Sequence, residues 1–252
     1  MPGGLPVSLH ALPPKTQPST AFARPVSLKR FGALAPLSLV DEVVVRRLKP
    51  RTLASGYSLT DSEVSAWVIL DGWCARVRNL PDGRRQIIHL LLPGDSVNLC
   101  TERWAGDELP IVALTPLIAV DAEPIRSAIK QNPSGHQGLV SACERATWCE
   151  QIYCLNGIVR LGQQNAYERL AHLLLEVRER LTAVDLVNGS GFQLPVTQDV
   201  IANALGLSLV HLSRTLRQMR GEGVIALRPG HIDILKPDVL AKAASFPHAA
   251  SF

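Results

Sequence analysis

The hydrophobic positions change period three times along this chain. Residues 34–48 carry them at helical spacing, with Pro36 near the start. From Lys49 to about Val120 the period is that of short strands. Residues 66–70 are an apolar run, Asp71-Gly72 is a turn, and residues 73–78 alternate Trp73, Ala75 and Val77 with Cys74, Arg76 and Arg78. Pro81-Asp82-Gly83 marks the next turn. Residues 86–92 read as a strand buried on both faces, closed by Pro93-Gly94-Asp95, and the runs 111–114 and 117–120 follow. Strands at roughly ten-residue spacing with turn residues between them predict a β-barrel or jelly roll. Residues 137–163 then hold no proline and read as one long helix with Leu139, Cys143, Ala146, Tyr153 and Val159 as its apolar seam. That length exceeds what a small barrel needs as cover, so the helix is expected to self-associate; the alternative is a helix folded back on its own barrel. Asn165 is placed to cap a further helix, 166–181, whose Leu170, Leu173, Leu174 and Val177 keep helical spacing. Residues 182–192, with Asn188-Gly189 and Gly191, are a loop or hairpin.

The last periodic stretch is two short helices with one tight break. Thr197 is the expected N-cap of the first, which holds Val200, Ile201 and Leu205 and ends at Gly206, a residue that enters the left-handed conformation freely. Ser208 is the expected cap of the second, 209–220. Neither cap has Glu or Gln three residues on, so no capping box forms. Wound at about 100° per residue, the second helix puts Leu212, Leu216 and Met219 on one side, against Ile201 and Leu205. Val210, His211, Arg214, Arg217 and Gln218 fall on the other. Two helices joined by a glycine turn have the form of a helix-turn-helix. The outward set suits a major groove: arginine grips guanine, and a small apolar side chain meets a thymine methyl. Ser208, Ser213 and the helix N-terminus are placed for phosphates. The competing reading is a helical hairpin with a solvated basic face. Two β-prone runs, 224–227 and 232–235, flank Pro229-Gly230 and form the expected wing, where Arg228, His231 and Lys236 are candidate phosphate contacts.

Charge sharpens this picture. The net charge is only +4 over 252 residues, yet residues 1–60 hold eight Lys or Arg against two acids. Arg214, Arg217, Arg220, Arg228 and Lys236 cluster in the second helix and wing against Glu222 and Asp233. A local positive face, rather than a polycation, fits a protein that touches DNA on one side. Five cysteines without a CxxC pair argue against a disulfide framework and for a reducing compartment. No apolar run is long enough for a membrane span, and the N-terminus lacks the continuous apolar stretch of a secretory signal, so a cytoplasmic protein is expected. Residues 1–29 are rich in proline and read as a disordered arm.

The order of parts resembles the Crp/Fnr family of bacterial transcription regulators. The resemblance runs from about Phe31 to Lys236 and is carried by W-V-I-L-D-G-W (67–73), D-G-R-R-Q-I-I-H-L-L-L-P-G-D (82–95), E-R-L-A (168–171) and G-L-S-L-V-H-L-S-R-T-L (206–216). It implies an α+β chain with a β-roll sensor domain at 30–136, a dimerisation helix at 137–164 and a winged helix-turn-helix at 165–252. It also implies a homodimer on a double-stranded operator with two-fold symmetry, with RNA polymerase as a further partner. The family's guanine-contacting arginine falls at Arg214, beside Ser213. Where many members carry a glutamate this chain has Val210, so that base contact is absent and Val210 with His211 should read something different.

The resemblance also implies an effector pocket near Gly94, Asp95 and Cys154, but this chain departs from the family there. Cyclic-nucleotide-binding members follow the Gly-Asp/Glu turn with a Glu and then an Arg-Ser pair. Here the window before Ala113 holds Arg103-Trp104 and Asp107-Glu108 and no Arg-Ser. A phosphate needs a fixed cation, and two acids repel it, which disfavours cyclic-nucleotide control. The N-terminal cysteine cluster of oxygen-sensing members is missing, since the first cysteine is Cys74. Cys143, Cys149 and Cys154 lie on the long helix and suggest either a thiol sensor or metal site at the dimer seam, or small buried hydrophobes. No CxxCH exists and no histidine stands out as a haem ligand; His89 reads as a core or edge residue. No cofactor, metal or catalytic residue is assigned. A cupin-like enzyme lacks its ligands, with no H-x-H and only His89 in the strand region. The remaining alternative is a ligand-binding module whose helix-turn-helix serves only protein contacts.

Overall fold

A computed structural model describes Lys29, residues 34–99 and residues 109–246. The proline-rich stretch up to residue 28, and Arg103, Trp104, Asp107 and Glu108, lie outside the described residues.

The strand-patterned region folds into two antiparallel sheets. One is ordered β1 (Pro50–Leu53), β7 (Leu117–Asp121), β2 (Trp67–Asp71), β5 (Ser96–Val97); the other is β4 (Arg85–Leu91), β3 (Cys74–Asn79), β6 (Ile111–Ala113). Trp67, Ile69, Leu117 and Ala119 of the first sheet share a core with Cys74, Leu91, Ile111 and Ala113 of the second, as in a jelly roll. The β2–β3 turn depends on Gly72, at φ +83°, where a Cβ would stand 2.3 Å from the Pro116 carbonyl oxygen. One strand expectation needs correction. β4 is not buried on both faces throughout, because Ile88 is exposed. The register with β3 passes from Arg76 opposite His89 to Val77 opposite Ile87, so Ile88 is the extra residue of a bulge and turns outward.

Helix α1 (Leu39–Arg46) covers only part of the apolar pattern at 34–48, which is broken at Pro36. Ser38 and Asp41 form a capping box that sets its start, and the buried Asp41 carboxylate also meets His136 Nδ1 at 2.9 Å. Burial alone would raise the Asp41 pKa, but the bonds from His136 and Ser38 hold it below the ordinary carboxylate value. Helix α2 (Glu123–Gln131), which the reading of the sequence did not include, carries Ile125, Ala128 and Ile129 at helical spacing, with Ile125 fully buried and Ile129 packed on the same cluster.

The long helix, α3 (Gln137–Gln163), spans the predicted range, but its predicted seam mixes two faces. Leu139 and Cys143 are buried against Val68, Leu70, Val120 and Ile125, on the outer face of the first sheet. Tyr153 lies beneath the Arg180 guanidinium. Of the predicted seam residues, Val159 is the one left strongly exposed, and it shares its side of the helix with Trp148, Leu155 and Ile158. The helix therefore has two apolar sides: one covers its own barrel, and the other is left open by the described residues.

Beyond it, α4 (Ala166–Thr182) starts at an Asn165–Glu168 capping box. The 182–192 stretch is a hairpin, β8 (Val187–Asn188) with β9 (Gly191–Gln193). It extends the wing strands β10 (Ile225–Arg228) and β11 (His231–Ile234) into one sheet ordered β10-β11-β9-β8. Between the hairpins lie α5 (Gln198–Leu205) and α6 (Leu209–Gly221). A closing helix, α7 (Pro237–Ala244), not foreseen, buries Leu240 and Ala244 in the core that also holds Leu170 and Leu174 of α4. That core also includes Trp73, Ile87 and Leu90 of the β-roll, so the C-terminal unit packs on the β3–β4 face.

Candidate nucleic-acid interface

The two short helices form as their residues dictate. Thr197 Oγ1 accepts from the Val200 amide, Gly206 ends α5 in the left-handed conformation at φ +61°, and Ser208 Oγ accepts from the His211 amide at 3.2 Å. Leu212, Leu216 and Met219 are buried against Ile201 and Leu205, which fixes the roll of α6 about its axis. The opposite side is left to solvent: Ser208, Val210, His211, Arg214, Arg217 and Gln218 are exposed, and Ser213 is half-buried. Val210, 70% exposed, is an apolar side chain with no intramolecular reason to face water.

The other candidates are partly committed within the chain. Gln218 Nε2 donates to Glu222, which also accepts from the Tyr167 hydroxyl. Those two bonds hold the Glu222 carboxyl below its usual pKa. In the wing, Arg228 pairs with Asp233 at 2.7 Å, and His231 Nε2 lies 3.4 Å from the same carboxylate. Lys236 donates to the Glu222 carbonyl at the end of α6. The wing cations thus sit in local pairs that a phosphate would have to share, while Arg214 and Arg217 extend from a helix face.

A positioning residue that the sequence reading did not single out is Arg169, in the E-R-L-A segment. Its guanidinium donates to the carbonyls of Gln164, Leu161 and Leu205 at 2.7, 3.0 and 3.0 Å. One side chain therefore caps the end of the long helix and the end of α5 together. Only the family resemblance marked this segment; no local pattern announces a bond that spans 36 residues.

Comparison with known proteins gives this geometry a context. Residues 168–243 match the model of the Crp-like helix-turn-helix domain. The chain is 29% identical over 225 residues to the nitrogen fixation regulation protein FixK of Bradyrhizobium diazoefficiens, covering 88% of this chain and 93% of that one. It is 28% identical over 162 residues to the transcriptional activator protein FnrL of Cereibacter sphaeroides, covering 63% and 64%. The chain carries a Crp-like helix-turn-helix domain and is similar over most of its length to transcription regulators of the Crp/Fnr type. The structure of FixK2 from Bradyrhizobium japonicum superposes with a TM-score of 0.66 at 22% identity, over 81% of this chain and 99% of that one.

The pocket expected near Gly94, Asp95 and Cys154 is small. Gly94 and Asp95 line a cavity with His89, Cys149, Glu150 and Tyr153 that has room for about one water molecule. Cys154 lies just outside it, with Sγ 3.7 Å from His89 Nδ1. His89 is a core residue, held down to about pKa 3 by burial and by the Arg180 and Arg76 cations. Burial pushes the Cys154 and Cys74 thiols up, Cys154 with help from the Glu150 carboxylate and Cys74 from Asp95, so neither has thiolate character at neutral pH. Cys143 is buried between the long helix and the outer face of the first sheet. Among the described residues no group of three or more His, Cys, Asp or Glu is placed to hold a metal ion, and no helix is long and apolar enough to cross a membrane.

Proposed function

We propose that this regulator binds DNA as a homodimer, with 209–220 as the recognition helix in the major groove and the open side of the long helix as the dimer seam. The outward row Val210, His211, Arg214 and Arg217 on a helix whose opposite side is buried is the observation that carries the reading. Arg214 is assigned to a base edge, Ser208 and Ser213 to phosphates, and Arg228, His231 and Lys236 to backbone contacts by the wing. Trp148, Leu155, Ile158 and Val159 recur at coiled-coil spacing on a face that the described residues leave uncovered, which supports two-fold pairing. Two recognition helices related by that axis imply an operator of two inverted half-sites, one helical turn apart. FnrL is named a transcriptional activator, which supports RNA polymerase as a further partner. The β-roll is read as a degenerate effector domain. Its one small cavity near the predicted site, with the Asp95 carboxylate already paired, supports this over a cyclic-nucleotide pocket.

The test is selection of bound sequences from random DNA, followed by Arg214→Ala. The wild-type chain is expected to enrich a two-fold motif without added ligand. The variant is expected to lose about 1–3 kcal/mol of discrimination at one base position while its melting temperature stays unchanged. Unchanged specificity in the variant overturns the assignment.

A further inference from the structure

Arg180 sits on α4, in the C-terminal unit, yet most of its partners belong elsewhere. Its side chain is 1% exposed. Nη2 donates to the Leu90 carbonyl of β4 at 2.8 Å and to the carboxylate of Asp95, in the Pro93-Gly94-Asp95 turn. That carboxylate also accepts from the Leu92 amide at 2.7 Å. The guanidinium lies over the ring of Tyr153, on the long helix, 4.4 Å from its centroid. Carbonyl, carboxylate and aromatic face converge on one planar cation, an arrangement that suits a guanidinium better than an ammonium. On its own helix, Nη1 points to Glu176 at 3.4 Å, and Glu176 in turn accepts from Arg160 of the long helix at 2.6 Å. Asp95, Arg180, Glu176 and Arg160 thus form a buried chain of alternating charge across the β-roll, the C-terminal unit and the long helix.

We propose that the β-roll turn and the long helix form a guanidinium-binding site whose ligand is the chain's own Arg180, and that filling it sets the recognition helix relative to the β-roll. The site adjoins the small cavity where the family resemblance implied an effector, so an internal cation stands where a small molecule was expected. A buried ion chain adds little stability over apolar packing of the same volume, but its pairs form in one geometry, and separating them leaves buried charges uncompensated. The same unit lays α5 on β4, where Gln86 Nε2 donates to the Asn203 carbonyl at 2.9 Å. Arg180 therefore anchors the unit at one edge of the contact that α5 makes at the other. It acts as a positioning residue and touches no DNA.

The functional half of this inference rests on the DNA-binding reading; the docking half does not. The experiment compares the full-length wild type with Arg180→Ala and Asp95→Asn by amide hydrogen exchange. It adds binding to duplexes carrying the wild-type-selected half-sites at several spacer lengths. Both variants should exchange faster at 85–91 and 198–205, and should bind several spacers alike where the wild type prefers one. Millimolar methylguanidinium should restore protection and spacer preference to Arg180→Ala and leave Asp95→Asn unchanged, a response that mere loss of stability does not give. Wild-type exchange with wild-type spacer preference in the variants overturns the proposal, as does failure of methylguanidinium to act on a folded Arg180→Ala. If Arg180→Ala does not fold, Asp95→Asn decides alone. If the wild type selects no DNA, the proposed function falls and the exchange data still decide this one.

Discussion

Val210 carries more information than its size suggests. An exposed β-branched apolar residue in the first turn of α6 gains nothing from water, and on the proposed function a thymine methyl is a partner of matching chemistry. Val210→Glu should keep the fold, since the side chain touches no core, while shifting the selected half-site toward a base that offers an amino donor. Sequencing of the selected pools reads this directly; an unchanged motif would remove Val210 from the reading set. His211 and Arg214 were legible as outward residues because helical angle alone places them. Gln218 meets Glu222 at the helical i, i+4 spacing, but the partners of Arg228 and Lys236 were not legible, because Asp233 and the Glu222 carbonyl reach them only once the wing has folded.

At the scale of elements, the long helix shows why an apolar pattern and an interface are different things. Its inner side meets the barrel through Leu139 and Cys143 and the C-terminal unit through Arg160, which leaves Trp148, Leu155, Ile158 and Val159 outward. Ile158→Asp puts a charge at a position 67% exposed in the single chain, so monomer stability should change by less than about 0.5 kcal/mol. Self-association should instead weaken by tenfold or more, about 1.4 kcal/mol, as read by sedimentation equilibrium. A variant that stays as tightly dimeric as the wild type would place the seam elsewhere. Leu139→Ala is the contrasting change: it empties a buried site and should cost about 2–5 kcal/mol of stability. The helices capped by Asn165, Thr197 and Ser208 were legible because capping is local. Helix α2 was legible too, since Ile125, Ala128 and Ile129 keep helical spacing behind Pro124 at its first turn, but its nine residues are a short signal beside the strands before it.

For the molecule as a whole, the buried histidines set a pH dependence. Burial and the neighbouring Arg160 cation hold His172 down to about pKa 4, and His89 lies lower still. Both fall below the unfolded value of about 6.5, so the unfolded chain binds more protons in between. Stability from keeping them neutral is complete above about pH 6.5 and is lost as pH falls towards 4, by at most about 1.4 kcal/mol per pH unit for each. Denaturant titrations from pH 7 to 4.5 should show this fall, and His172→Gln should flatten part of it; an equal slope in the variant would remove His172 as a source.

What the sequence by itself determined is what short-range chemistry decides. Strand alternation, glycine turns, cap residues and helical angle were enough for the jelly roll, the long helix, the helix-turn-helix and its wing, and for the residues that face outward on the recognition helix. Tertiary structure decided which side of the long helix is open and which segments extend the wing sheet. It also decided that Arg169 and Arg180 tie the parts together. Those outcomes rest on contacts between residues 36 to 90 positions apart, such as Arg169 with Leu205 and Arg180 with Leu90. Such pairs form only when packing has brought distant segments to one place, so no periodicity in the chain announces them.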